Sequence, residues 1–417
     1  MTTRSTDIAI VGAGPAGARA AELLSTHGAS VVLLDPKAPW EKPCGGGLTA
    51  AAFDDVPELH ELEPLTRRIE EVRVEGAAHG FTVPLSRPIR VVSRLALARW
   101  QLDRARAAGA VHLPDRVRSI RRGHGNWSIT TDAGRIQARF LVGADGASSL
   151  VRRTVVPKVD VELAPTRVAF PTGTGPRPDT MGLRVFPGTA GYLWDFPRPD
   201  HRSVGVGIQD GSWRRARMDA AIDVYRQEQA ECPCNVTDPS RAGAVIGTAQ
   251  MGHGDFSRVA GENFALLGDA AGLADPTTGE GIRNALRSAE MVATAWAVDG
   301  SFATYPTLAR RAFHREFHAS RIVRRMIYEG ETGSKMIMRS SASPSVYAAV
   351  ASLVNAANDQ EWTLVSLVGR WLRARRWVTS RPKVERPTPR RTPCRCGGDR
   401  DATRTPDTCH GAAVACA

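Results

Sequence analysis

The chain has 417 residues, 42% hydrophobic and 24% charged, with 55 basic against 43 acidic side chains and a formal charge of +12. That composition suits a folded globular protein, and no apolar run approaches the roughly 20 residues that a membrane-spanning helix needs. Only five of the basic residues are lysine; this arginine bias, beside abundant alanine, resembles GC-rich bacterial codon usage, and without a recognition motif it points to a solvated basic surface, not to nucleic-acid binding. The N-terminus runs from a short polar lead into a glycine-punctuated strand with no secretory pattern, so a cytoplasmic location is expected. Seven cysteines, an odd number, argue against a disulfide framework.

Residues 7–35 spell a βαβ unit. Gly12, Gly14 and Gly17 make G-x-G-x-x-G between strand and helix, with Pro15 and Ala16 opening the helix and Asp35 ending the second strand. Glycines there permit a tight turn and close approach to a pyrophosphate, the helix N-terminus attracts the anion, and the acid can accept from a ribose, so a dinucleotide site is expected. The stretch KPCGGGL follows at 42–48. Three successive glycines weaken any regular element and signal a backbone that something approaches closely.

Alternating apolar segments at 69–75, 80–85, 126–131 and 135–142 predict strands, with a helix at about 94–108. A second group at 166–170, 181–186, 190–196 and 203–208, punctuated by Pro and Gly, suits an antiparallel sheet covering a pocket. Within it, Tyr192, Trp194 and Phe196 fall on one face. A strand at 263–267 feeds GDAAGLADPTTGEGIRNALRSAE, a loop and then a helix, and helical sequence continues to about 378. The expected organisation is a discontinuous dinucleotide domain (1–160 with 245–300), a β-sheet domain (65–92 and 161–244), a helical region (301–378) and a disordered tail (379–417). That tail is rich in Pro, Arg and Thr, and its Cys394, Cys396, Cys409, His410 and Cys416 match no common zinc spacing. No metal is expected.

The strings LVGADGASSLVR (141–152) and LLGDAAGLADPTTGEG (266–281), after the glycine motif, make three ordered fingerprints. Over about residues 7–290 they resemble the flavoprotein reductases and monooxygenases of the p-hydroxybenzoate hydroxylase fold. The resemblance implies an α/β (α+β) fold, a Rossmann-like FAD-binding domain interleaved with an antiparallel-sheet substrate domain. It places Asp145 and Gly146 near pyrophosphate and ribose, and Gly268 and Asp269 at the ribityl chain. Pro276 and the Gly279-Glu280-Gly281-Ile282 turn are expected to bring a helix N-terminus to the flavin ring, where its positive end suits the anionic reduced form. Within that fold, Cys44-Gly45-Gly46-Gly47 and the Y-x-W-x-F-P segment at 192–197 are similar to the geranylgeranyl reductase family. That likeness implies Gly45 and Gly46 against the isoalloxazine, Cys44 near flavin and alkene, and Tyr192, Trp194 and Phe196 lining an isoprenoid pocket. Arg94 carries over as a flavin contact, although Leu97 and Ala98 stand where many members have Phe and Asp.

The implied enzyme is an FAD-dependent oxidoreductase that saturates double bonds of a geranylgeranyl or polyprenyl chain. A thiol at Cys44 could relay the proton or tune the flavin, its acidity set by charge and burial. A monooxygenase acting on an aromatic or polyketide molecule is the alternative on the same fingerprints; halogenation is weakened because no lysine occurs between residues 43 and 157. With a single dinucleotide motif, the electron donor is a transient one such as NADPH or ferredoxin. The segment WTLVSLVGRWLRARRW (362–377) sets apolar residues beside arginines, a pattern for packing on its own domain or for peripheral docking at the inner face of an anionic membrane.

Overall fold

The computed structural model describes residues 2–360 apart from 77–79, 158–160, 174, 210, 230–240, 249–255, 329–334, 336–338 and 341–342. The arginine-rich segment 362–377 and the cysteine-containing tail lie outside the described residues. Strand β1 (Thr2–Val11) turns into α1 (Pro15–Thr26) and returns as β2 (Val31–Leu34). The chain then leaves through β3 (Gly47–Leu48), α2 (Ala50–Asp55) and the pair β4 (Thr66–Glu75) and β5 (Gly80–Val92). Helix α3 (Arg94–Ala107) brings it back for β6 (Val111–Leu113), β7 (Val117–Arg122), β8 (Trp127–Thr131) and β9 (Gly134–Gly143), followed by α4 (Leu150–Val155). A second excursion makes β10 (Glu162–Ala169), β11 (Thr180–Val185), β12 (Gly191–Pro197), β13 (Arg202–Ile208), α5 (Arg215–Glu228) and β14 (Arg241–Thr248). After β15 (Ala260–Gly261) and β16 (Phe264–Leu266), helices α6 (Ile282–Asp299), α7 (Tyr305–Tyr328) and α8 (Pro344–Asp359) complete the described chain.

Among the described residues these strands form two sheets. The first runs β15-β16-β9-β1-β2-β6, with β8 joined to β9 and β7 to β8. Its centre is parallel, β1 pairing with β2 and β9. Parallel strands are covered on both faces and read as continuous apolar runs, as Ile8–Val11 and Val31–Leu34 do, all buried. Alanine-rich α1 lies across α6, and Gly17 allows the turn before it to close: a Cβ there would sit 1.8 Å from the Gly12 carbonyl oxygen.

The second sheet has the order β14-β10-β13-β12-β11-β4-β5-β3. It departs from the antiparallel expectation at one junction, where β11 and β4 pair in parallel. These two strands come from separate excursions, so no hairpin ties them together. Strand β5 also runs past the expected end at residue 85, to Val92. Pairing moves from Ile69↔Ile89 to Glu71↔Pro84, so residues 85–88 are left out of the ladder. This is how Pro84 and Pro88, which obscure the pattern in the sequence, are tolerated. The irregularity is a docking point for α8: Asn355 Oδ1 accepts from Ser86 N at 2.7 Å, and Asn358 Nδ2 donates to the Arg87 carbonyl at 2.7 Å.

The two faces of the second sheet differ in kind. Val72, Val74, Met181, Leu183 and Val185 alternate toward the helices, while Arg73, Glu75, Arg184 and Asp195 alternate toward α5. There, Glu75 takes Arg73 at 2.5 Å and Arg184 at 2.6 Å, and Asp195 pairs with Arg202.

Replacing Gly17 with alanine forces the α1 turn off the Gly12 carbonyl and lowers stability by about 1–3 kcal/mol. Urea denaturation of the two proteins measures the difference, and an unchanged midpoint contradicts this account of the turn.

Candidate active site

The three sequence fingerprints meet in space. A Cβ on Gly12, whose φ is +98°, would lie 2.3 Å from Ala144 O and 2.8 Å from the Asp145 Cα. Gly268 faces Ala16 and Ala285 closely, at 3.2 Å from each Cβ by the same construction. Asp35 Oδ2 accepts from Ala13 N at 2.9 Å and Oδ1 from Lys37 N at 2.8 Å, so the acid shapes the glycine turn as well as ending β2. Asp145 spends its carboxylate at the start of α4, accepting from Ser149 Oγ at 2.5 Å and Leu150 N at 2.6 Å. Burial nevertheless pushes its pKa up. Gly146, at φ +76°, lies beside it with open space around its Cα.

The geometry fits a dinucleotide. Helix α1 begins at Gly14 with no side-chain cap, Pro15 at its first turn and no acid in that turn. The Ala16 and Gly17 N–H groups are thus left to an anion, aided by the helix dipole. Helix α6 likewise begins at Gly281 without a side-chain cap on the N-cap residue. Asp269 stands between these regions and meets Lys42 Nζ at 3.4 Å.

Within KPCGGGL, Cys44–Gly47 form the floor of a cavity of about 290 Å³. The glycines there are required by the protein's own atoms. A Cβ on Gly45 would enter the Phe196 ring at 2.4 Å, and one on Gly46, at φ +83°, would fall 2.1 Å from the Val92 carbonyl oxygen. The loop is tied down from beneath by Arg198, which is fully buried. Its Nη2 donates to the Cys44 carbonyl at 2.8 Å and its Nη1 to Glu41 Oε1 at 2.8 Å. Glu41 in turn accepts from Ser93 Oγ and from the Arg94 and Leu95 N–H groups at the start of α3. Ser203 Oγ adds a second donor to the Cys44 carbonyl at 2.9 Å.

Arg94 is held by this arrangement with its Nη1 3.3 Å from Cys44 Sγ, and Gly46 N also donates to the sulfur at 3.2 Å. Burial alone would raise the thiol's pKa, but the charges of Arg94, Lys42 and Arg198 outweigh it and bring it below its ordinary value. Arg94 Nε is buried with no partner among the described residues.

One wall of the cavity is the apolar face of the second sheet. Tyr192, Trp194 and Phe196 all line it, as do Val72, Val74 and Ile89. Trp194 Nε1 donates to Ser203 Oγ at 3.1 Å. The opposite wall comes from α7 and α8 through Val323, Ile327, Val350, Leu353 and Val354, residues that the fingerprints do not reach. Thr277, Thr278 and the Gly279–Ile282 turn close the remaining side. That turn hangs from two tyrosines, Tyr192 Oη donating to Thr278 O at 2.5 Å and Tyr328 Oη to Thr277 O at 3.0 Å. Burial holds both phenols neutral at any physiological pH. Pro276 lies behind the wall, its carbonyl accepting from Gln209 Nε2 at 3.0 Å. Glu41, Arg198, Ser203 and Tyr328 have no signal in the sequence, since each is an ordinary polar residue until the fold brings it under the loop.

A family model described as "Lycopene cyclase protein" matches residues 7–170. A geranylgeranyl diphosphate reductase of Rhodobacter capsulatus is 30% identical over 302 residues, 66% of this chain and 71% of that one. The chain belongs to the geranylgeranyl reductase family of FAD-dependent oxidoreductases. A menaquinone reductase of Mycolicibacterium smegmatis is 29% identical over 356 residues, 77% of this chain and 84% of its own. Among solved structures, a geranylgeranyl bacteriochlorophyll reductase-like protein of Thermoplasma acidophilum matches with TM-score 0.69 and 17% identity, covering 88% of this chain and 96% of that one. The fold is shared more widely: a flavin-dependent brominase matches with TM-score 0.62 and 17% identity, over 89% and 99% of the two chains. No helix among the described residues is long and apolar enough to cross a membrane. No group of three or more metal-ligating side chains occurs among them either.

Since Arg94 is the nearest positive charge to Cys44, Arg94→Met moves the thiol's titration upward. The pH dependence of iodoacetamide alkylation reads this directly; a midpoint that stays in place removes Arg94 as the cause.

Proposed function

We propose that this enzyme reduces carbon–carbon double bonds of an isoprenoid chain, on a free diphosphate, a quinone or a lipid precursor. The observation that carries this reading is the cavity itself. Its sheet wall and its helix wall are apolar, with Cys44–Gly47 at its floor and Gly279–Ile282 closing the remaining side. A long hydrocarbon finds there the burial that a small polar aromatic would not need, at about 25 cal/mol per Å² of apolar surface removed from water. The relatives named as reductases of geranylgeranyl diphosphate and menaquinone support the same substrate class.

The residues that would hold FAD are Gly12, Gly14, Pro15, Ala16 and Gly17 with Asp35 at its adenosine and pyrophosphate, and Asp145, Gly146, Gly268 and Asp269 beyond. The turn at Gly279, Gly281 and Ile282, with Gly45, Gly46 and Arg94, would flank the ring. Reduced FAD supplies a hydride to one alkene carbon. The protein's own part is to bury the chain, to exclude water and to hold the alkene at the cavity floor. Tyr192, Trp194 and Phe196 form the wall nearest the glycine loop, and their fixed rings restrict the chain's approach. Cys44, with its sulfur accepting from Arg94 and Gly46, would present an ordered, electron-rich surface to the reacting region. The transient electron donor is NADPH, ferredoxin or a similar carrier.

The test uses the purified flavoprotein, reduced chemically without oxygen and mixed separately with geranylgeranyl diphosphate and a prenylated quinone. Flavin reoxidation with a product two hydrogens heavier per bond supports the proposal. Flavin that stays reduced with both until oxygen is admitted turns the reading toward a monooxygenase. Narrowing the helix wall with Leu353→Trp is expected to weaken binding of the longer chain at least tenfold while the flavin spectrum is retained; equal affinity for wild type and variant places the chain elsewhere.

A further inference from the structure

Saturating an alkene needs a proton as well as a hydride, and besides the neutral phenols of Tyr192 and Tyr328 the titratable residues lining the cavity are Cys44 and Glu280. Their surroundings act on them in opposite directions. Around Cys44 the neighbours favour the thiolate: Arg94 Nη1 and Gly46 N both donate to its sulfur, which leaves it poorly placed to give up a proton. Around Glu280 the surroundings favour the acid. Its Oε1 accepts from Arg283 N at 2.8 Å, at the first turn of α6. Its Oε2 is buried and has no hydrogen-bond partner among the described residues. A carboxylate oxygen without a donor in such a place is costly, whereas a carboxylic acid hydroxyl is tolerated.

We propose that Glu280 is the catalytic acid, delivering a proton to the alkene carbon that does not receive hydride. This rests on the isoprenoid-reductase reading. In balance, one carbon gains a C–H bond from the hydride of the reduced flavin and its electron pair. The former π electrons form the second C–H bond with the Glu280 carboxyl proton as the O–H bond breaks. The flavin is oxidised by two electrons, the alkene becomes an alkane, and the carboxylate left behind recovers its proton from solvent between turnovers.

The charges facing Glu280 allow this cycle at neutral pH. Burial raises its pKa to about 7; Arg283 and Arg287 of α6 pull it down, and Asp275 in the preceding turn pushes it up. Arg283 is already committed to Asp55 at 2.6 Å and Glu316 at 3.5 Å, and Arg287 to Glu316 at 2.8 Å. Their pull on Glu280 is correspondingly reduced. Cys44 lines the same cavity, and Arg94 Nη1 lies 3.3 Å from its sulfur. Because the acid form is the active one, reduction is fastest below the pKa and falls as pH rises through it.

The test compares the full-length flavoprotein with its Glu280→Gln variant. Glutamine keeps an oxygen for the Arg283 N–H but has no acidic proton. Single-turnover reoxidation of reduced flavin by the alkene is expected to slow about 10²–10⁴-fold, with flavin binding and thermal midpoint retained. The wild-type rate should decline above about pH 7, and the variant's should stay flat. Independently of turnover, carboxyl-¹³C glutamate labelling should show one resonance titrating near neutrality that the variant lacks. An active wild type with an equally fast variant, or the absence of such a resonance, overturns the acid assignment and leaves the reductase reading standing. A wild type inert toward every alkene offered, with the resonance present, removes the reductase reading and the proton's acceptor with it. Should the variant fail to fold, the wild-type titration and pH profile decide.

Discussion

The candidate site depends on one ion pair whose arginine is fully buried. Arg198 leaves the end of β12 and, with no exposed surface, reaches both Glu41 and the Cys44 carbonyl. Glu41 then closes the N-terminus of α3 through Ser93 and two backbone N–H groups. Three stretches of chain far apart in sequence thereby share two charges. Arg198 is the fully buried partner, and leaving its charge unpaired there would cost about 3–5 kcal/mol, which ties the loop, the helix start and the strand end to one another. Everything above this pair, including the sulfur's contact with Arg94, inherits its position from it.

A second set of bonds fixes the opposite side of the cavity. The carbonyls of Thr277 and Thr278 are claimed by tyrosines from α7 and β12, and Asp275 accepts from the N–H groups of both threonines. The N–H groups that follow are bonded within the same turn, Gly279 N donating to the Asp275 carbonyl at 3.0 Å and Glu280 N to Thr278 Oγ1 at 3.2 Å. The loop that carries Cys44 and the turn that carries Glu280 are therefore anchored independently. Both anchors nevertheless touch β12, which contributes Tyr192 to one, while Arg198 of the other lies just past its end.

Much of this was legible in the sequence. The glycine turn, Asp35 and the two later strings mark the cofactor domain because each is a contiguous stretch whose backbone chemistry is local. The alternation of Tyr192, Trp194 and Phe196 also placed them on one face, and all three line the cavity. What stayed hidden depends on distance along the chain. The explanation for the triple glycine lies in the Phe196 ring and the Val92 carbonyl, about 150 and 46 residues from Gly46. Likewise the helix wall is built from valines, leucines and isoleucines that look like any amphipathic stripe. Prolines at 84 and 88 concealed the length of β5 because only the register shift that accommodates them allows the strand to continue. Glu280 was visible within its motif, but nothing in the sequence distinguishes a buried carboxyl from a solvated one.

The pleat of the second sheet sorts its side chains into two unrelated tasks. Positions such as 72, 74, 181, 183 and 185 face the cavity, and their neighbours 73, 75 and 184 hold the ion pairs under α5. A strand therefore carries recognition and cohesion in alternate letters. Substitutions in one set can remodel the pocket's width and depth while the lattice of charges beneath is left intact. Such a scaffold can change the shape of its cavity by single steps, each passing through a folded protein.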